Sequence, residues 1–165
     1  MPENIISKVI EIENCSKEDL VKAFYNPQFW IKINPAKSME AEFIAPNVLH
    51  TKITDEILKI PVEMEGELVL QDKGEQPGGK GRLVELNVRN NKDIRELDGN
   101  MRVKTITPTK CKVGVFIHSF KLESGFLNLI GRNVAELTLR NKITDMLRKL
   151  ERGLKTNTLK DFLKM

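Results

Sequence analysis

The feature that most constrains the fold is a long run of helix-forming residues without proline, residues 124–154, in the last third of the chain. Leu, Arg, Lys, Glu and Met occupy most of its positions, and these side chains lose little rotamer freedom in a helix. Ser124 is suited to cap its start, and Gly153 is suited to end it after a basic last turn. The sequence therefore predicts one long C-terminal helix that the rest of the chain must cover.

The apolar residues of this run change sides of the helix near its middle. One face carries Phe126, Leu127, Ile130, Val134 and Leu137. At 100° per residue, the opposite face carries Leu139, Ile143, Met146, Leu147, Leu150 and Leu154. Either the helix breaks near its start, or one helix has different partners along its length. The glycine at position 131 favours a break, with residues 125–131 as a short helix or loop.

The central part of the chain alternates apolar and polar residues, which is typical of half-buried strands. Two short helical segments, 16–26 and 27–35, follow the first strand. The connections between later strands are too short for parallel crossovers, so an antiparallel meander is predicted. Residues 74–79 are predicted as a loop and residues 98–100 as a hairpin turn. The predicted strands are 6–13, 38–45, 48–57, 61–70, 82–89, 101–107 and 111–122.

Length and composition indicate one globular domain, residues 1–165. No apolar run approaches ~18 residues, and the start resembles no signal peptide. Cys15 and Cys111 are far apart in sequence and match no redox or metal spacing, so a reducing, cytoplasmic location is expected. Abundant Lys and Glu with little Gln is a weak indication of a thermophilic source.

No set of residues predicts a catalytic, metal or cofactor site, and none is assigned. His50 and His118 are the two histidines, and with the separated cysteines they form no closed zinc set. His118 is placed by alternation on the strand face that carries Phe116 and Phe120. The acidic row Glu63, Glu65 and Glu67 is expected to face solvent rather than a pocket.

The C-terminal residues are basic. Residues 140–165 hold eight basic and three acidic residues. No aromatic side chains alternate with these charges as stacking platforms, so nucleic-acid binding is not expected. In the tail, residues 154–165, Leu159, Phe162 and Leu163 have helical spacing. We expect this tail to pack against its own domain or a second copy, with Phe162 as the anchor, rather than lie on a membrane.

The opening SKVIEIENCSKEDLVKAFYNPQFWIKINP, residues 7–35, and the order of the elements resemble the START-like, or SRPBCC, superfamily. The resemblance covers nearly the whole chain, but it contains no invariant motif. It implies an α+β helix-grip fold, in which a seven-stranded antiparallel sheet wraps around the C-terminal helix. In that superfamily an apolar cavity lies between sheet and helix.

The resemblance makes binding or transport of a small hydrophobic molecule, such as a lipid, isoprenoid or aromatic compound, the first hypothesis. A cyclase-type enzyme would need polar groups in the cavity, and His50, His118, Asn87 and Tyr25 are its candidates. A protein-interaction module would show no cavity and an exposed apolar patch near Leu154, Leu159, Phe162 and Leu163. The residues expected to line the cavity are Trp30, Phe43, His50, Met64, Met101, Phe116, His118, Phe120, Phe126, Ile130 and Val134.

Overall fold

A computed structural model describes residues 4–57, 59–123 and 131–164 of the chain. Its main feature is a seven-stranded antiparallel sheet in the order β1-β7-β6-β5-β4-β3-β2. Consecutive strands from β2 to β7 are neighbours, which confirms the predicted meander, and β1 pairs with β7. The strands are Ile6–Glu13, Ser38–Ala45, Val48–Ile57, Ile60–Gln76, Gly81–Arg89, Ile94–Thr107 and Lys110–Leu122.

Two short helices follow β1, as the sequence predicts. α1 spans Lys17–Ala23, and its N-cap Ser16 accepts a hydrogen bond from the Asp19 amide at 3.1 Å. α2 spans Pro27–Ile33, with proline at its first position and Asn26 as the N-cap. Both helices bury apolar side chains into the same core as the sheet.

The sequence placed two strand boundaries wrongly. Residues 98–100 form no turn, because β6 runs through them and Gly99 lies beside a bulge. A Cβ at Gly99 would come within 2.3 Å of the Phe116 carbonyl oxygen, so the glycine is needed for close backbone approach. Residues 74–79 are only partly a loop, because β4 continues to Gln76 past a bulge between Asp72 and Gly74.

The long helix α3 spans Arg132–Thr156 and packs on β1. Its N-cap is Gly131, and the predicted break at residues 125–131, together with the Ser124 cap, falls outside the described residues except for Gly131. The stripe from Leu139 onward faces the core, whereas Leu137 is 53% exposed. No helix in the described ranges is long and apolar enough to cross a membrane.

Gly153 does not end α3. The helix continues to Thr156, and the Asn157 side chain donates to the Gly153 carbonyl at 3.1 Å. A Cβ on Gly153 would lie 2.4 Å from the Phe162 ring, so this glycine makes room for the next helix. α4, Leu159–Lys164, folds back at that point and buries Leu159 and Phe162 in its own domain, as the tail hypothesis allowed.

Candidate functional site

A cavity of about 270 Å³ lies between the inner face of the sheet and the first half of α3. Strands β2 to β7 each contribute to its wall, and Ala135, Leu139 and Met146 contribute from the helix. Its lining is mainly apolar, because alternation along each strand turns the hydrophobic residues inward. The volume lies just below the range of about 300–1,000 Å³ that is usual for small-molecule pockets.

Three of the residues expected from the sequence lie in the wall of this cavity, namely Trp30, Met64 and Phe120. Trp30 is also a core residue. It is 7% exposed, packs on Phe24 and Phe29, and its indole nitrogen donates to the Phe24 carbonyl at 2.8 Å. The Trp30 ring therefore forms part of the cavity wall, while its N–H group makes its hydrogen bond within the core.

Other members of the expected set lie elsewhere. Met101 is buried in the sheet core but is not part of the cavity wall. Half-buried Val134 is not a wall residue either, although it packs against Leu122 and Ala135, which are. Phe43 stacks on Tyr25, with ring centroids 6.2 Å apart. Phe126 and Ile130 fall outside the described residues.

A bulge in β7 separates residues that alternation had placed on one face. Asp98 pairs with Ser119 and Gly99 pairs with Ile117, so His118 is the extra residue. Beyond the bulge the phase reverses, and Phe120 faces the cavity. Phe116 lies on the outer face, where its ring covers Gly114. The prediction that Phe116 and His118 share a strand face with Phe120 is therefore wrong, because the extra residue shifts the alternation by one position.

The four polar residues named as candidates for a cyclase-type enzyme do not line the cavity. His118 hydrogen-bonds Asn100 at 2.9 Å, and His50 lies 3.1 Å from Glu65. The Asn87 amide donates to Asp98 at 2.7 Å. Tyr25 packs against Phe43, and burial raises the pKa of its phenol. None of the four belongs to the cavity wall in the described part of the chain.

Sequence reasoning missed the ion pair at one end of the cavity. Asp55 is 9% exposed, and its carboxylate lies 2.8 Å from the Lys142 ammonium. Both side chains belong to the wall. The alternation of β3 places Leu49, Thr51, Ile53 and Asp55 on the inner face of the sheet. A charged residue at an inward-facing strand position is a sequence signal for a buried polar site.

The fold brings the two cysteines, which are far apart in sequence, next to each other. Cys15 follows β1, and Cys111 lies opposite Ile12 in β7. Both are buried free thiols, and the Cys15 sulfhydryl donates to the Ser16 carbonyl at 3.3 Å. The neighbouring Cys111 thiol and burial raise the pKa of the Cys15 thiol well above its ordinary value. The pair lies at the packed end of the core, away from the cavity wall.

No protein-family model matches the sequence, and no curated protein matches it either. Solved structures do match the fold. A START superfamily protein from Mycobacterium smegmatis is 11% identical with a TM-score of 0.63, and the match covers 91% of this chain and 96% of that one.

Two enzymes of known structure have the same architecture. The Zhui aromatase/cyclase from a Streptomyces species is 7% identical with a TM-score of 0.65, covering 91% of this chain and 92% of the enzyme. Norcoclaurine synthase from Thalictrum flavum is 12% identical with a TM-score of 0.54, covering 92% and 88%. Identities this low establish architecture and not activity. The chain therefore has the helix-grip fold of the START-like superfamily.

Proposed function

We propose that the protein binds a small hydrophobic molecule, such as a lipid, isoprenoid or aromatic compound, in the cavity between the sheet and the first half of α3. The observation that carries this proposal is the cavity itself, with its mainly apolar wall. Burying apolar ligand surface there contributes roughly 25 cal/mol per Å². Met64 and Met146, from opposite sides, add side chains that adapt to different ligand shapes.

Proteins that share the fold offer support of the same kind. One is named an aromatase/cyclase, and a structure of norcoclaurine synthase was determined in complex with dopamine and hydroxybenzaldehyde. These are small aromatic compounds, in keeping with a cavity of about 270 Å³. The fold alone does not transfer their chemistry to this chain.

The other two hypotheses gain less from the structure. The four polar candidates for a cyclase-type reaction lie outside the cavity wall. The interaction module required an exposed apolar patch at the C-terminus, but Leu154, Leu159 and Phe162 are buried within the domain. A homodimer through residues 154–165 stays a prediction, and sedimentation of the full chain with and without residues 158–165 would test it.

The test is native mass spectrometry of protein purified without detergent, followed by titration with naphthalene. We expect a small molecule that stays bound in the native spectrum and leaves on unfolding, or saturable naphthalene binding by the purified protein. Val88→Phe places a larger ring at the cavity wall and should abolish both signals. The matched control is Val9→Phe on the outer face, where Val9 is 48% exposed, and it should keep them.

Two results would overturn the proposal. One is wild-type protein that carries no small molecule and does not bind naphthalene. The other is binding that survives Val88→Phe unchanged, since the occupied site would then lie elsewhere.

A further inference from the structure

Asp55 breaks the pattern of the surface on which it lies. Its neighbours on the inward phase of β3 are Leu49, Thr51 and Ile53, and the cavity wall around it is mainly apolar. Within the described ranges it is the one buried charged residue, at 9% exposure. Removing a carboxylate from water costs several kcal/mol unless it is paired and hydrogen-bonded.

Its partner comes from the helix that closes the cavity. The Lys142 ammonium lies 2.8 Å from the Asp55 carboxylate and 3.5 Å from the Pro35 carbonyl. Lys142 stands on α3 between Leu139 and Met146, both of which also border the cavity. The pair thus joins strand, helix and the α2–β2 connection at one end of the cavity.

This arrangement is not explained by stability alone. The Asp55 side chain is 11% exposed and the Lys142 side chain 32%, and replacing an ion pair held this far out of water with apolar residues of similar volume is often neutral or stabilising. The pair also leaves hydrogen-bonding capacity at the cavity wall, since a carboxylate accepts several hydrogen bonds and an ammonium has three donors. One of those donors goes to Asp55 and a second to Pro35.

We infer that the molecule bound in the cavity has an apolar body and an uncharged hydroxyl group, and that this hydroxyl meets Asp55 and Lys142. The inference rests on the proposed function and specifies its ligand class. A hydroxyl donates to the carboxylate and accepts from the ammonium at once. A ligand carboxylate would bring a second negative charge beside Asp55, and a ligand amine a second positive charge beside Lys142.

The experiment compares three probes with the same ring system, naphthalene, naphthol and naphthoate, by titration calorimetry. Hydrophobicity alone ranks naphthalene above naphthol. We expect the reverse order for the wild type, with naphthol about 10- to 100-fold tighter than naphthalene, because its hydroxyl bonds two charged groups. Naphthoate should bind more weakly than naphthol.

The decisive variant is Asp55→Leu combined with Lys142→Met, which makes that end of the cavity apolar without leaving one charge unpaired. It should keep or strengthen naphthalene binding and lose the preference for naphthol. Naphthalene binding also reports that the variant is folded. The matched control is Lys52→Met with Glu63→Leu, which removes an exposed ion pair between β3, the strand of Asp55, and its neighbour β4, and it should leave the preference unchanged.

The outcomes separate this inference from the proposed function. If naphthalene binds the wild type but naphthol binds no better, the inferred contact of a ligand hydroxyl with Asp55 and Lys142 (the hydroxyl anchor) is wrong and the cavity proposal stands. The same conclusion follows if naphthoate binds best. The anchor is also wrong if the double variant keeps the preference for naphthol. If no probe binds the wild type, the proposed function fails and the anchor fails with it.

Discussion

The two halves of α3 face different interiors. Its second half presents Leu147, Leu150 and Leu154, which are 4%, 1% and 0% exposed and belong to one apolar cluster with Ile12 and Phe24. Its first half borders the cavity, where Leu139 and Lys142 lie opposite the sheet. The same helix thus meets a filled core at one end and a space of about 270 Å³ at the other.

The difference indicates that one end of the helix stabilises the fold and the other end lines the proposed binding cavity. The filled end is sealed from three sides: β1 lies beneath it, α4 folds over it, and the Asn14 side chain donates to the Leu154 carbonyl at 2.7 Å. The other end borders the cavity. Substitutions at the filled end should therefore change the free energy of unfolding, and those at the cavity end should change binding.

The largest effect is expected from Leu150→Ala. Leu150 is 1% exposed, so truncation loses its transfer energy and leaves a void, together worth about 2–5 kcal/mol of stability. The control is Leu137→Ala on the same helix, where the side chain is 53% exposed and the change should stay within about 0.5 kcal/mol. Urea unfolding followed by circular dichroism measures both. Equal effects would contradict the contrast between filled and solvent-facing positions.

The next effect compares one substitution at two positions of β5. Val84 and Val88 share the inner face, but Val84 is 0% exposed in the filled core and Val88 borders the cavity. Val84→Phe overpacks the core and should cost about 1–3 kcal/mol. Val88→Phe can use the cavity, so its cost in the same urea assay should be clearly smaller. A larger cost at Val88 would mean that the cavity end is as tightly packed as the filled end.

The strand phases were predictable from sequence, whereas the irregular positions were not. Alternation gave all seven strands and placed Met64 on the inner face. It failed at Gly99, since a glycine beside Asp and Asn suggests a turn as strongly as it suggests a bulge. The extra residue, His118, then reversed the phase for Phe120. Bulges depend on pairing with a neighbouring strand, and that information is not local in the sequence.

The candidate site was predictable only in part, for a related reason. Apolar residues such as Trp30 were found because cavity walls and cores share the same composition. Which of them face a space depends on packing between distant elements, as Met101 and Phe43 illustrate. The partnership of Asp55 with Lys142 joins positions 87 residues apart, and only the fold brings them together. The same holds for Cys15 and Cys111.

The smallest effect concerns the stability in acid that the ion pair of Asp72 and Arg82, next to Tyr25, provides. The Arg82 guanidinium donates to Asp72 at 2.6 and 3.1 Å, and these hydrogen bonds lower the pKa of the Asp72 carboxyl. A carboxyl whose pKa is lower in the folded state stabilises above its unfolded pKa of about 3.9, and this contribution is lost as the pH falls through the folded pKa.

Asp72→Asn should therefore cost about 1 kcal/mol at pH 7, because the pair is partly exposed, and the difference from wild type should shrink below about pH 4. Urea unfolding at pH 7 and pH 2.5 measures it. Glu85→Gln, on the same hairpin with its partner Lys73 at 4.0 Å, should change stability less. A difference for Asp72→Asn that persists undiminished in acid would show that shape rather than charge makes Asp72 stabilising. Naphthalene binding should be unaffected by this variant, since Asp72 is not part of the cavity wall.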